Sequence, residues 1–389
     1  MNSRTQPSGY FFRVSGFFRI GKYLCILLFA LFMIMMLFVY GDKITYNNFR
    51  YMLKDIDAAV LLRTDASFAT VTYQTSDPTF ESLNGNLVIG DRNTVTLYNP
   101  AGIEVYSIPF SGQNIRFDTD GKFLLAYDPG GKAFLLCNSI TKLVSGEAKG
   151  TICVTDVSKS GAFALALSSN TTRYTVDVYN SSFSHSATYG VNDYVIDVSV
   201  SDSGDGIAIL TFTGEGDVPD TTLRIGAVGE ESYRATLTHP GEFPVSVDWQ
   251  GNSIVLQTDA STYFYTAEGT LISQYSIGSR TLVATSSAED VYAVATAKNG
   301  ETVVTIFDRS GYARYNEKTP YRVRDLAFCT DGLLILSADH AVYISLDNYL
   351  VTEASTEDAL CILGVEDYGL ICSRSRASAI FIETEEEEN

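Results

Sequence analysis

The sequence predicts an all-β protein, a β-propeller of eight blades preceded by one N-terminal transmembrane helix. Three observations lead to this prediction. One uncharged apolar segment lies near the N-terminus, a strand and turn unit recurs about every forty residues, and a spare strand precedes the first complete unit. Seven blades are the main alternative. A two-sheet sandwich is disfavoured, because it predicts no fixed forty-residue period.

The N-terminus reads as an uncleaved signal anchor. The basic tail, residues 1–22, contains no acid and has four positive charges, Arg4, Arg13, Arg19 and Lys22. Residues 23–40 contain no charge, glycine or proline, and as a helix they would span about 27 Å, close to the thickness of the bilayer core. A cleaved signal peptide is disfavoured, because Phe38-Val39-Tyr40 lacks the small residues of a cleavage site. The positive-inside rule then places the N-terminus in the cytoplasm and the remaining chain outside.

Residues 41–63 are predicted to link this helix to the large domain. Phe49, Met52, Leu53 and Ile56 have helical spacing and fall on one face. A short helix is therefore expected here.

The repeat defines the predicted propeller, residues 64–383. Its first strands are predicted to begin near Phe80, Gln113, Thr151, Tyr194, Pro244, Arg280, Val323 and Leu360. Their mean spacing of about forty residues is the size of a four-stranded blade. A polar turn that mostly ends in glycine follows most of these strands, as in Asp118-Thr119-Asp120-Gly121 and Asp202-Ser203-Gly204.

The last unit is predicted to hold only three strands, near 360–363, 369–373 and 379–383. The unassigned strand Phe68–Tyr73 can supply the fourth and close the ring. Closure removes sheet edges that would otherwise pair with other chains.

Charge excludes one class of partner. The net charge is −19, and because residues 1–22 contribute +4, the rest of the chain carries −19 − 4 = −23. A chain this acidic repels phosphate backbones, which argues against nucleic-acid binding. Residues 384–389 form an acidic tail that is predicted to be solvated.

No catalytic motif is found, so no enzymatic activity, catalytic residue, cofactor or metal site is predicted. The three histidines lack metal-binding spacing, and the acidic turn at Asp118 does not match a calcium loop. Outside Cys25 of the apolar segment there are five cysteines, an odd number that excludes a complete disulfide framework. Whether Cys361 and Cys372, which flank one predicted hairpin, form a disulfide stays open.

The loops between the second and third strands of the blades are the predicted places for binding, because long loops on a rigid scaffold often carry function. The longest and most acidic one includes Glu215, Asp217 and Asp220, and the last one includes Arg374 and Arg376. These five residues are the candidate interaction residues. The alternative is that these loops differ in length only because the repeats have diverged, and that they have no role in binding.

The layout resembles a family of uncharacterised bacterial membrane-anchored proteins classed only as a domain of unknown function. The likeness rests on the basic tail, the single span, the segment Asn48–Asp55 just outside it, and the degenerate blades. It implies a bacterial envelope protein and supplies no activity.

The expected function is an interaction or scaffold module at the outer face of the cell membrane, with a protein, peptide or glycan as partner and the lipid bilayer as its anchor. The alternative is an extracytoplasmic hydrolase or lyase with a carboxylate site in the propeller channel. An apolar, filled channel would exclude that alternative.

Overall fold

The computed structural model describes residues 21–32, 34–35, 69–75, 77–214, 218–230, 232–365 and 368–380. Residues 21–32 and 34–35 are α-helical, and their large apolar side chains, such as Phe29 at 66% exposure, lie on the surface. Within these described ranges, no helix combines the length and the apolar character needed to cross a membrane. The predicted linker 41–63, the acidic tail 384–389 and residues 1–20 of the basic tail lie outside the described residues.

Eight antiparallel four-stranded sheets, the blades, make up residues 71–380. The first four blades contain β2 to β17: Thr79–Leu83, Asn86–Gly90, Thr94–Tyr98 and Glu104–Pro109; Arg116–Asp120, Phe123–Tyr127, Ala133–Asn138 and Lys142–Glu147; Ile152–Val157, Phe163–Ser168, Tyr174–Tyr179 and His185–Val191; Tyr194–Val200, Gly206–Thr213, Asp220–Ala227 and Tyr233–Pro240.

Blades five to seven contain β18 to β29: Pro244–Gln250, Ser253–Thr258, Ser261–Thr266 and Leu271–Ser276; Thr281–Ala288, Val291–Lys298, Glu301–Asp308 and Ala313–Thr319; Asp325–Cys329, Gly332–Leu336, His340–Ser345 and Val351–Ser355. Blade eight contains β30 (Cys361–Val365), β31 (Tyr368–Cys372), β32 (Arg376–Ile380) and β1 (Val71–Thr72). We call the four strands of each blade a to d, with β30 as a and β1 as d in blade eight. The prediction of eight blades is confirmed, and every predicted first strand begins within three residues of the observed one.

The burial pattern follows the order of the strands within a blade. The b strands, such as Phe123–Tyr127 and Gly332–Leu336, are almost wholly buried, because they lie between other strands and between neighbouring blades. The d strands alternate between exposed and partly buried residues, as in β21 and β25. This alternation is that of a strand with one solvated face. The core is therefore a series of apolar layers between blades.

The two rims of the propeller differ in their connections. Because successive turns of an antiparallel sheet lie at opposite ends, the a–b and c–d turns form one rim, here called the a–b rim. The b–c turns and the d–a connections form the other, the b–c rim. Gly161 and Gly204 end a–b turns with φ of 81° and 78°, a backbone conformation that favours glycine, as the sequence predicts.

The N-terminal strand closes the ring, as predicted, although it is only two residues long. Val71 pairs with Ala377 and Thr72 with Arg376. Tyr73 extends the contact, because its Oη donates hydrogen bonds to the carbonyl oxygens of Ser373 (2.5 Å) and Arg376 (2.9 Å). Blade eight is thus completed by residues from both ends of the propeller sequence.

Cys361 and Cys372 face each other directly in the β30–β31 pair, and both are free thiols. A hydrogen bond with the neighbouring Cys361 thiol, together with burial, raises the pKa of Cys372 well above its ordinary value.

Candidate functional site

The a strands bring carboxylates to the central channel. Six of the eight a strands contain at least one acid within their described residues, and these acids are Glu81, Asp118, Asp120, Asp156, Asp197, Asp248 and Asp325. The sequence pattern predicts a turn at Asp118, and this prediction is wrong, because Asp118 lies inside β6 and pairs with Leu125. The channel is therefore acidic and not apolar. An apolar channel would have excluded a carboxylate site, so that alternative stays open.

Three of these carboxylates connect neighbouring blades. Oδ2 of Asp197 accepts a hydrogen bond from the backbone N–H of Val247 (2.9 Å), Asp156 accepts one from Val200 (2.5 Å), and Asp325 accepts one from Ile362 (3.4 Å). Each donor belongs to the a strand of the following blade. An a strand pairs with its b strand on one side only, and unpaired buried N–H groups are costly. These carboxylates accept hydrogen bonds from N–H groups on that free edge, which is a structural role.

Burial raises the pKa values of the channel carboxyls, because it disfavours their charged forms. It raises the pKa of Glu81 and of Asp197 to about 7, and it raises the pKa of Asp118 well above the ordinary range, with added repulsion from Asp156. Burial likewise raises the pKa of Asp120, near the a–b end of the channel, to about 7. Groups with pKa values near neutrality can both donate and accept protons at physiological pH.

A cavity of about 390 Å³ occupies the a–b end of the channel, between blades two and six. Carboxylates from several blades line it, together with hydroxyl groups such as those of Ser246, Thr285 and Ser287. Oδ2 of Asp118 is buried here and has no hydrogen-bond partner among the described residues. Asp248 is better satisfied, since its Oδ2 accepts a hydrogen bond from Gln250 at 2.9 Å. Asp118 thus lines the cavity and has one buried oxygen that the described protein leaves unpaired.

Lys159 crosses the mouth of this cavity. It stands on the a–b turn of blade three, and its Nζ lies 3.4 Å from Oδ2 of Asp202 in blade four and 2.6 Å from Oε1 of Glu289 in blade six. Glu289 is 70% exposed, whereas Lys159 and Asp202 are about two-thirds buried at 35% and 32% exposure. Because Glu289 is largely exposed, its ion pair with Lys159 contributes little to stability and can open at small cost.

The described residues contain no group of three or more histidine, cysteine or acidic side chains arranged to hold a metal ion. The channel acids are therefore numerous but do not converge on one point. Their arrangement suits a ligand larger than a single ion.

The three candidate interaction residues that the structure describes, Asp220, Arg374 and Arg376, do not come together. Glu215 and Asp217 lie outside the described residues, and Asp220 opens β16, paired with Thr213 and Pro240 in blade four. Arg374 and Arg376 lie in blade eight, on the b–c rim, and both are exposed. The ring therefore separates Asp220 from the two arginines by four blades.

Arg374 lies between two open grooves on the b–c rim. One groove, of about 610 Å³, faces blade one and includes Arg92 and Tyr73. The other, of about 590 Å³, faces blade seven and includes Arg324, Arg376 and the acids Glu357 and Asp358. We call the second one the seam groove.

The channel acids were missed because the search was for motifs within one segment. One signal was present, since an acid interrupts the apolar pattern of the first strand in most units, as in Ile196-Asp197-Val198 and Val247-Asp248-Trp249. Side chains at equivalent positions of the a strands meet once the ring is closed. The repeat itself could therefore have indicated the cluster.

The free energy of unfolding is expected to fall as the pH rises from about 4 to 7. A group whose folded-state pKa is raised binds its proton more tightly when folded, so its stabilising effect is complete below the unfolded pKa near 4 and is lost as the pH passes about 7. Glu81, Asp120 and Asp197 fall in this class. Asp205 and Asp308 have lowered pKa values, so they change the free energy of unfolding only at lower pH.

Urea unfolding at pH 5.5, 7 and 8 measures this dependence. Glu81→Gln keeps the acceptor for the Ser82 N–H and should regain on the order of 1–3 kcal/mol at pH 8. Glu268→Gln, on an exposed c–d turn, is the matched control and should change nothing. Stability that stays constant or rises between pH 6 and 8 would contradict the assignment of raised pKa values.

Comparison with known proteins agrees with the fold. The profile of a family described as "Family of unknown function (DUF5711)" matches residues 64–367. No curated protein matches the chain. Among solved structures, similar ones are Sqt1 from Saccharomyces cerevisiae (TM-score 0.57, 10% identity, 82% of this chain and 100% of that one) and BamB from Moraxella catarrhalis (TM-score 0.54, 9% identity, 81% and 99%). A eukaryotic initiation factor has a TM-score of 0.56 at 12% identity over 83% and 91%. At these identities the likeness shows the fold alone.

Proposed function

The chain belongs to this family of unknown function, and we propose that it is an interaction module of the bacterial cell envelope, anchored by residues 23–40 with the propeller outside the membrane. The anchor rests on the uncharged apolar segment and on the basic residues that precede it. The interaction role rests on the b–c rim of blades seven and eight.

The interaction role rests mainly on the seam groove and its three exposed arginines, Arg324, Arg374 and Arg376. Arginine binds carboxylates with two parallel hydrogen bonds and so recognises them by geometry as well as by charge. The groove also contains Glu357 and Asp358. A site with both signs of charge favours a polypeptide partner with mixed charge over a polyanion, and the acidic body disfavours unspecific anionic partners.

Site-specific photo-crosslinking in intact cells tests this role. A photoreactive residue at position 374 should form one defined adduct with an envelope polypeptide. The same residue at position 122, where Lys122 lies exposed on the a–b rim, is the matched control and should form none. Adding Arg376→Ala to the position-374 variant should weaken its adduct. Equal adducts from both rims, or none from position 374, would contradict a docking role of this groove.

The proposed topology has its own test. The full chain should sediment with membranes, and a chain that starts at residue 64 should not. In intact cells, Lys122→Cys should react with a membrane-impermeant maleimide, because position 122 is exposed. The native propeller cysteines are less accessible, since Cys137, Cys329 and Cys372 are buried and Cys153 and Cys361 are only partly exposed. The wild-type chain is the control for reaction at native thiols. Labelling only after lysis would place the propeller inside.

A hydrolase or lyase is the second candidate, and one observation favours it. Asp118 and Asp120 line one cavity, and burial raises the pKa values of both. Such groups are suited to general acid and base catalysis. If the cavity is catalytic, purified protein should cleave an envelope polysaccharide, and Asp120→Asn should reduce the rate by about a hundredfold or more. The inter-blade hydrogen bonds of Asp156 and Asp197 favour the structural role instead.

A further inference from the structure

We propose that the cavity at the a–b end of the channel binds a primary ammonium group, with Lys159 as an internal competitor at its mouth. This site lies on the rim opposite to the seam groove and does not depend on the proposed function. It is built from side chains of five consecutive blades.

The first observation is an unpaired acceptor. Asp118 lines the cavity, and its buried Oδ2 has no hydrogen-bond partner among the described residues. Leaving a buried polar oxygen unpaired is costly, so such atoms call for an explanation, and a bound donor is one. An ammonium group carries three donors and no acceptor, which suits a wall of oxygens.

The second observation is Lys159 itself. The protein already places one ammonium group at this mouth, between Asp202 and Glu289. The geometry of these two carboxylates is therefore compatible with a primary ammonium group. Because Glu289 is largely exposed, the Lys159 side chain can leave and admit a second cation at small cost.

The size and spread of the acids favour an organic cation over a metal ion. The cavity of about 390 Å³ lies within the usual range for small-molecule sites. No three acidic, histidine or cysteine side chains of the described chain are arranged around one point as metal ligands. A flexible amine can reach oxygens that are spread over several blades, as a single ion cannot.

Titration calorimetry on the detergent-solubilised full chain tests the site, with spermidine as the probe. Lys159→Met removes the competing charge and keeps the apolar stem, so spermidine should bind about fivefold more tightly than to the wild type. Lys122→Met removes a charge on the same rim outside the cavity and is the matched control. It should leave the affinity unchanged.

Substitutions in the cavity wall distinguish binding in the cavity from unspecific binding to the acidic surface. In the Lys159→Met background, Asp118→Asn should abolish binding. Asp202→Asn, at a partly exposed turn where folding is not at risk, should weaken it. Binding that persists in both variants overturns the proposal, as does the absence of binding to Lys159→Met.

Two further probes identify the source of the ammonium group. Tighter binding of spermidine supports a free polyamine, and tighter binding of Nα-acetyl-lysine amide supports the lysine side chain of a polypeptide. Calcium alone should not displace either probe. Displacement by calcium at equal concentration would show a metal site and overturn the proposal.

Discussion

Deleting residues 1–73 is expected to open the propeller ring and to cost about 4–6 kcal/mol of unfolding free energy. The deletion removes β1, which pairs with β32, and both hydrogen bonds of the Tyr73 hydroxyl. It also exposes the apolar layer of blade eight that Val71, 4% exposed, helps to cover. A loss of this size is a large part of the total stability of a typical domain.

Thermal unfolding and size-exclusion chromatography measure this effect. A chain that starts at residue 64 keeps β1 and is the matched control, which should unfold cooperatively and elute as one species. The shorter chain should unfold at a lower temperature and self-associate, because the outer edge of β32 is then unpaired. Tyr73→Phe, which removes only the hydroxyl, should lie between the two. Identical unfolding of the two truncated chains would contradict closure by β1.

The sequence was sufficient for the blade count because period and turns repeat. Gly121, Gly161 and Gly204 occur at equivalent a–b turns with positive φ, so each unit independently indicates the same hairpin. The third strand of the last unit was predicted at 379–383 and lies at Arg376–Ile380. The error arises at the closure, where pairing with Val71 and Thr72 decides the register and no repeat supplies a template.

The site was harder to predict because it exists only in the closed ring. Asp118 and Asp248 are 130 residues apart in sequence and line one cavity. Lys159 and Glu289 are likewise 130 residues apart and form an ion pair between blades three and six. Such pairs follow from the angle between blades, which local patterns do not encode. The loops chosen from sequence were selected by length, and length does not distinguish a binding loop from an insertion.

Gly364→Ala is expected to cost about 3–5 kcal/mol, the largest effect of a single substitution proposed for this chain. A Cβ at Gly364 would lie 1.5 Å from the carbonyl oxygen of Phe328 and 2.3 Å from its carbonyl carbon. Both strands involved, β26 and β30, are a strands of neighbouring blades. The obstacle is backbone that is paired with Leu333 in β27, so it cannot rotate away as a side chain would.

Urea unfolding compares this variant with Gly130→Ala. Gly130 has a φ of 89° and no neighbouring atom within 4 Å of an added Cβ, so its replacement tests backbone strain without a clash. Strain alone costs about 1–2 kcal/mol in Gly130→Ala. Gly364 does not have a positive φ, so the whole loss in Gly364→Ala comes from the clash and measures how closely blades seven and eight must approach. Equal losses in the two variants would mean that the blades separate freely at this position. Because blade eight also holds the closing strand β1, a forced separation here should weaken closure as well. The Tyr73 hydroxyl then has less to stabilise, and Gly364→Ala combined with Tyr73→Phe should cost less than the sum of the two.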